Sequence, residues 1–350
     1  MSDESTSLRI LIVRLSHIGD CLLTIPLAFA LREAFPRATI GWATEPPSDQ
    51  LLACVPEVDQ VLALPRKWSR SVSGWMAARR IVRNFAPDVT LDPQSLTKSA
   101  GLAALSGAPT RIGLARPEGR ELAPWLATGR IAATKPHLVD RTLELLHGLN
   151  RQPDKPKWNL VLPSAGQEFA ETLVREEEFA SPFVVINPGG TWPAKRWLPG
   201  RFAEVATLVH RDRGVRSLVV WAGDEERRWA EEIASRAPGA AVLAPKTSLV
   251  QLAAILQKAA FYLGGDSGPM HLSQAMGTPC VALFGPTLPS RCGPYGPDHI
   301  TLQRYYQEGS CRERRSAPND ALRAIDVAEV YEACLRLLER IDQSARREAA

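Results

Sequence analysis

The stretch LRILIVRLSHIGDCLLTIP, residues 8–26, decides how the rest of the chain is read. Residues 8–15 are a β-branched apolar run of strand length, and a turn of small residues follows. The spacing of Leu22, Leu23, Leu27 and Leu31 then predicts a helix over 20–35. A buried strand passing through a tight turn into an amphipathic helix is the opening unit of a parallel α/β sheet. The alternation continues downstream. TIGWAT (39–44), QVLAL (60–64) and DVTLD (88–92) read as strands, separated by helices near 48–54 and at about 71–85, and another helix starts near Leu96. HLVDRTLELLHGLN (137–150) reads as helix, and its polar successor RQPDKPKWN (151–159), with two prolines, as a linker.

The pattern then restarts. SPFVVINPGG (181–190) is a buried strand entering a Gly-rich turn, followed by helix 199–213, strand 217–223, helix 225–236 and strand 240–244. Helix 248–258, strand 260–265, helix 268–276 and strand 279–285 complete the series. Residues 286–323, rich in Pro, Arg and Gly, read as irregular, and 326–348 as a closing amphipathic helix with Asp326 as its N-cap. The expected architecture is α/β, with two Rossmann-like doubly wound domains over 1–160 and 161–350. Such sheets bind ligands at the carboxyl ends of their strands, so a cleft between the domains is the default site. The architecture alone also hosts epimerases, phosphorylases and binding proteins.

Composition narrows the class. With 45% hydrophobic and 23% charged residues the chain is an ordinary globular one. No apolar run approaches the roughly 18 residues of a membrane-spanning helix, and the start MSDESTS resembles neither a signal nor a transit peptide. The six cysteines are scattered without a CxxC pair, which leads us to expect a cytoplasmic protein. The net charge of +4 conceals an asymmetry: residues 1–160 carry 20 Lys and Arg against 15 Asp and Glu, the remainder 22 against 23. Six basic side chains and no acidic one fall within 65–83. Such a run is either a solvated face or a lure for an anionic partner, and it has too little aromatic interleaving for nucleic acid.

Four segments carry candidate chemistry. In IVRLSHIGDCLLTIP (12–26), Asp20 opens the first helix at the carboxyl edge of the sheet, where a carboxylate either caps the helix or acts on a ligand. The segment lacks G-x-G-x-x-G and is no dinucleotide fingerprint. In INPGGTWPAKRWLPGRF (186–202), Gly189 and Gly190 permit close backbone approach, Thr191 offers a hydroxyl and Lys195 a mobile cation. Together they suit a diphosphate. Of the tryptophans, Trp192 and Trp197, flanking Lys195, are expected near a ligand. In GGDSGPMHLSQAMGTPCVALFGPT (264–287), Asp266, Ser267, Gly268 and His271 gather at a helix mouth, a setting for phosphate held by backbone amides. In WAGDEERRWAEE (221–232), Glu225 and Glu226 either accept ribose hydroxyls or complement the helix dipole. No D-x-D triplet, HExxH or Cys/His cluster suggests a metal site.

Taken together and in this order, L-S-H-I-G-D-x-L-L-T-I-P (15–26), D-P-Q-S-L-T-K-S-A (92–100), N-P-G-G-T-W-P-A-K-R-W (187–197), and G-D-S-G-P-M-H-L (265–272) with F-G-P-T (284–287) resemble the ADP-heptose:lipopolysaccharide heptosyltransferases. These form glycosyltransferase family 9, of GT-B fold, and the D-x-Q-x-L-x-K-S-A pattern is nearest the heptosyltransferase I type. The similarity runs from about residue 8 to 303. The resemblance implies an inverting, metal-independent transferase with no cofactor, using ADP-heptose as donor and a phosphorylated, Kdo-bearing lipid A as acceptor. It makes Asp20 the catalytic base and Lys195 the cation on the donor diphosphate. Gly190, Thr191, Asp266, Ser267, Gly268 and His271 fall on the donor side, as do Thr247 and one or both of Glu225 and Glu226. Arg66, Lys67, Arg70, Lys98 and Arg120 fall on the acceptor side. A lipid-linked acceptor implies peripheral contact with the cytoplasmic face of the inner membrane through the basic first domain. The alternatives are an inverting GT-B transferase for another nucleotide sugar or acceptor and, less expected, a nucleotide-sugar epimerase. Two departures stand out: Gly190 replaces the second hydroxyl residue common in heptosyltransferase I, and 305–320 matches no pattern of the family.

Overall fold

A computed structural model describes residues 8–179 and 182–348, which divide into two compact units, Met1–Val161 and Leu162–Ala350. The first unit contains β1 (Arg9–Val13), α1 (Ile18–Leu22), α2 (Ile25–Ala34), β2 (Thr39–Thr44), α3 (Ser48–Leu52), β3 (Gln60–Ala63), α4 (Val72–Asn84) and β4 (Val89–Asp92). It continues through α5 (Thr97–Leu105), β5 (Thr110–Leu114), α6 (Ala123–Leu126), β6 (Gly129–Ile131) and α7 (Leu138–Glu144). The second holds α8 (Ser164–Glu176), β7 (Val184–Asn187), α9 (Pro199–Arg213), β8 (Ser217–Val219), α10 (Gly223–Arg236), β9 (Ala241–Leu243), α11 (Leu249–Lys258), β10 (Phe261–Gly265) and α12 (Gly268–Ala275). It ends with β11 (Cys280–Leu283), α13 (Pro289–Cys292), β12 (Ile300–Leu302), α14 (Cys311–Ser316), α15 (Asp320–Arg323) and α16 (Val327–Glu348).

Each unit is built on a six-stranded sheet, in the orders β3-β2-β1-β4-β5-β6 and β12-β11-β10-β7-β8-β9, and every pairing is parallel. The central strands β4, β7, β10 and β11 are buried along their whole length. That is why β7, β10 and β11 read as largely apolar runs, since helices cover both faces of a parallel sheet; β4 buries Thr90 and Asp92 as well. The strand order reverses direction between β1 and β4 in the first sheet and between β7 and β10 in the second. These are the two switch points, where loops leave the sheet in opposite directions and open a crevice at the carboxyl edge.

Three readings of the sequence are corrected. The helix expected over 20–35 is two helices, because Pro26 stands in the first turn of α2 with Thr24 as its N-cap and the chain re-initiates there. Residues 286–323 contain β12 and three short helices instead of being irregular throughout. β5, β6 and α8 had no counterpart in the sequence reading.

α16 was legible and also closes the second unit. Asp326 Oδ1 accepts the Glu329 backbone N–H at 2.8 Å, the expected N-cap. Val330, Ala333, Cys334, Leu337 and Leu338 enter the same core as Phe202, Val205 and Val209 of α9. Trp197 Nε1 and Arg201 Nη1 both donate to the Ile325 carbonyl, at 3.0 and 2.7 Å, fixing where α16 begins. Truncating a fully buried leucine removes transfer free energy and leaves a cavity. Leu337→Ala should therefore cost about 2–5 kcal/mol, and loss of the cap in Asp326→Ala about 1 kcal/mol. Urea denaturation at constant slope checks both, and a Leu337→Ala midpoint indistinguishable from the parent would remove α16 from the core.

Candidate active site

At the first switch point Asp20 is the third residue of α1, reached through the turn after β1. The His17 backbone N–H donates to Asp20 Oδ2 at 3.2 Å, so the carboxylate does cap its helix. Its other oxygen is committed elsewhere: Arg14 Nη2 lies 2.9 Å from Asp20 Oδ1. Arg14 follows β1, is buried, and donates from Nη1 to the Pro93 carbonyl at 3.1 Å. Burial alone raises the Asp20 pKa, but the Arg14 charge and the hydrogen bonds from His17 outweigh it and hold the carboxyl below the ordinary range. Asp92, at the end of β4, is the third charged group here. Its oxygens accept the Gln94 and Ser95 backbone N–H groups at 3.1 and 2.8 Å and the Ser99 hydroxyl at 2.9 Å. Burial pushes Asp92 up to about 7, with those hydrogen bonds and Arg14 only partly opposing it. Gln94 Oε1 accepts the Leu15 N–H at 2.9 Å and ties the ends of β4 and β1 together.

The basic candidates of this unit differ in their surroundings. Lys98 Nζ is ion-paired with Glu45 Oε1 and lies 5.2 Å from the centroid of the Trp68 ring, whose own Nε1 donates to the same Glu45 oxygen at 2.7 Å. Arg66, Lys67 and Arg70 are exposed on the turn that carries Trp68, so that tryptophan brings the four cations into one region. Arg120 is exposed too, and its backbone N–H donates to the Ser95 carbonyl at 3.0 Å, close to the start of α5. Glu45 had drawn no attention in the sequence.

In the second unit the candidates stand at the carboxyl ends of adjacent strands. Lys195, on the turn after β7, and Asp266, after β10, form a buried ion pair with Nζ 2.6 Å from Oδ2. Thr287 of F-G-P-T donates its hydroxyl to the same Asp266 oxygen at 2.7 Å, and His271 Nε2 lies 3.4 Å from Oδ1. Burial opposes ionisation of Asp266, but the His271 hydrogen bond and the Lys195 charge prevail and keep its pKa below the ordinary range. With both oxygens engaged, Asp266 serves to aim Lys195. His271 sits behind it, 6% exposed. Gly265 makes this approach possible, since a Cβ there would come 2.6 Å from the Lys195 carbonyl oxygen.

Around this pair the remaining donor-side candidates take separate places. Ser267 is the N-cap of α12, and its Oγ lies 3.1 Å from both Asn187 Nδ2 and Tyr262 Oη, so its hydroxyl is held in a triangle rather than left open. Gly268 begins α12 itself. Gly190 is buried and accepts from Arg196 Nε at 2.8 Å, while Thr191 is exposed at the apex of the turn. Thr247 is half-buried in the loop after β9. The two glutamates separate clearly. Glu225 faces outward, 3.3 Å from Arg196. Glu226 turns inward: it accepts the Ala222 N–H at 2.9 Å, and its carboxylate fills the space beside Gly189 that a side chain there would need. Burial raises the Glu226 pKa, with the backbone donors opposing.

Sequence reasoning thus missed Arg14, Glu45, Asp92, Tyr262 and Thr287 as polar partners. A charged residue ending an apolar strand was the available signal for Arg14 and Asp92. Among the described residues no group of three or more His, Cys, Asp or Glu side chains is placed to hold a metal ion.

Comparison with known proteins extends this geometry. Lipopolysaccharide heptosyltransferase 1 of Pseudomonas aeruginosa is 28% identical over 320 residues, covering 88% of this chain and 87% of that protein. A glycosyl transferase family 9 structure from Veillonella parvula superposes with a TM-score of 0.81 at 22% identity, over 95% of this chain and 97% of the other. The E. coli heptosyltransferase WaaC with ADP-2-deoxy-2-fluoro heptose gives 0.72 at 24% identity, over 93% and 98%. The two structures share the fold, the GT-B class of paired Rossmann-like units. The model of glycosyltransferase family 9 (heptosyltransferase) matches residues 75–321, well over half of the sequence. The chain belongs to glycosyltransferase family 9, and is a glycosyltransferase.

Proposed function

We propose that this chain is an inverting heptosyltransferase, moving heptose from ADP-heptose to a hydroxyl of the lipopolysaccharide inner core on a Kdo-lipid A type acceptor. The observation that carries the reading is the buried Lys195–Asp266 pair at the second switch point, in a member of the heptosyltransferase family. The similarity to proteins named lipopolysaccharide heptosyltransferase 1 supports heptose as the sugar, and the ADP-linked ligand of WaaC supports the nucleotide. Residues 161–350 take the donor and residues 1–160 the acceptor.

Asp20 accepts the proton of the acceptor hydroxyl as its oxygen attacks the anomeric carbon from the face opposite ADP. The bond from that carbon to the phosphate oxygen breaks, the electron pair leaves with ADP, and the configuration inverts. Positioned proton removal is worth roughly 10²–10⁴-fold. Lys195, aimed by Asp266, and the amides at the start of α12 with Gly268 neutralise charge on the departing diphosphate, without a divalent cation. Thr191 adds a hydroxyl at the phosphates, Glu226 faces the ribose, and Thr247 stands on the donor side; Glu225 braces Arg196. Lys98, Arg66, Lys67, Arg70 and Arg120 receive the acidic sugars and phosphates of the acceptor.

The enzyme works as a peripheral protein on an anionic membrane. No helix of the described residues is long and apolar enough to cross one. Instead α4, α5 and α6 pack side by side. α4 carries the exposed apolar Val72 and Met76 together with the exposed cations Arg79, Arg80 and Arg83, and Leu122 and Trp125 are exposed at the start of α6 and within it. Apolar tips inside a basic field suit a bilayer of anionic headgroups.

Three tests follow. Asp20→Ala should abolish transfer while ADP binding stays near the parent value, and Lys195→Ala should lose both; the parent should keep its rate in EDTA. Near-normal turnover of Asp20→Ala, or a rate lost to EDTA and restored by a divalent cation, defeats the mechanism. A base acts only when deprotonated, so the rate falls as pH drops through its pKa. The depressed Asp20 pKa places the acid limb of kcat/KM below the ordinary carboxylate range. Arg14→Gln removes the opposing charge but not the burial, so the limb should move to higher pH; an unmoved limb separates Arg14 from the base. Finally, replacing Val72, Met76 and Trp125 with Ser should abolish co-sedimentation with phosphatidylglycerol vesicles without altering ADP affinity, and unchanged sedimentation would exclude this surface.

A further inference from the structure

Residues 303–319 have no part in the chemistry above, yet they pack against the turn that carries Lys195. Gln303 Nε2 donates to the Gly285 and Thr287 carbonyls at 3.2 and 2.8 Å, and Asn319 Nδ2 donates to the Arg196 carbonyl at 2.8 Å. α14 and α15 both touch the turn Pro193–Lys195. Within α14, two neighbouring arginines do different things. Arg314 Nη1 donates to the Pro286 carbonyl at 2.6 Å and fixes the short helix to the F-G-P-T loop. Arg315 is left exposed, with its guanidinium 5.3 Å from the centroid of the Trp192 ring. Lys195 Nζ lies 4.5 Å from the centroid of that same ring.

Two cations therefore meet on one indole. Lys195 has a carboxylate partner in Asp266, whereas no carboxylate among the described residues lies within ion-pair distance of Arg315. Attraction to the ring face holds each cation in place, but like charges around one ring repel. An anion that touches both relieves that repulsion, and the planar guanidinium fork matches two phosphate oxygens where a lysine offers a single point charge. We infer that Arg315 is a second cation of the donor diphosphate subsite, delivered by the strap 303–319, so that Lys195 and Arg315 grip a nucleoside diphosphate together beside Trp192. This rests on the reading that the second unit binds an ADP-sugar.

Calorimetric titration of ADP and of AMP into the full chain tests it, using the parent, Arg315→Gln, Arg315→Lys, Arg312→Gln and Lys195→Gln. Arg315→Gln should weaken ADP about tenfold, equivalent to about 1.4 kcal/mol, and AMP by much less, because AMP lacks the second phosphate. Arg315→Lys should fall between, and Arg312→Gln, an exposed control on the same helix, should match the parent. If Lys195→Gln loses ADP while Arg315→Gln binds within twofold of the parent, the second cation is disproved and the donor site stands. Equal weakening toward ADP and AMP also overturns the inference. A parent chain that binds no ADP overturns both.

Discussion

Burying a lysine with an aspartate is the constraint on which the second unit's carboxyl edge depends. Removing two charges from water costs more than their mutual attraction returns unless the remaining lone pairs and protons are satisfied. The surroundings of Asp266 supply that satisfaction: Thr287 and His271 complete its carboxylate, and a glycine at 265 lets the Lys195 turn come close enough to pair. Lys195 follows β7, Asp266 and His271 follow β10, which ends on Gly265, and Thr287 follows β11, so the pair links three strand ends into one edge. The pair therefore positions a cation and also fixes three strand ends relative to one another.

The first unit meets the same problem with a different set of groups. Arg14 and Asp20 pair close to Asp92, whose burial keeps its carboxyl near neutrality in pKa. A strongly ionised carboxylate is a weak base, so under the proposal that Asp20 is the base, proton removal rests on geometry: the acceptor hydroxyl is held against the carboxylate and water is excluded. Arg14 thereby exchanges basicity for a fixed, permanently charged oxygen.

How much of this was legible depends on chain length per element and on which partner carries the signal. The sheets were readable because β1, β7 and β10 are buried almost throughout and so read as largely apolar runs, while β4, Val-Thr-Leu-Asp, showed by its β-branched residues. Thr110–Leu114 and Gly129–Ile131 were passed over because they lie toward one margin of the sheet, where burial is partial and the runs are short and mixed. Between 286 and 323 the helices are four to six residues long, too short for a 3.6-residue period to register. At the site, Asp20, Lys195 and Asp266 stood out because they follow strands and glycines. Their partners did not: Arg14 read as part of an apolar run, and Glu45 and Lys98 meet across 53 residues of sequence that no local pattern spans.

The two switch points also explain why one chain can present opposite charges at equivalent places in two similar sheets. In each pair one member is more open than the other, and that member decides what a ligand meets. The Asp20 side chain is 32% exposed against 10% for Arg14, so the first sheet offers a carboxylate with its counter-charge behind it. Lys195 is 12% exposed against 6% for Asp266, so the second sheet offers a cation backed by its carboxylate. Exchanging which member faces outward is enough for the same topology to present an anion at one strand end and a cation at another, with each outward charge kept in place by the buried one behind it. Two charges of opposite sign are thus held at the two switch points, each kept at its strand end by the more deeply buried group behind it.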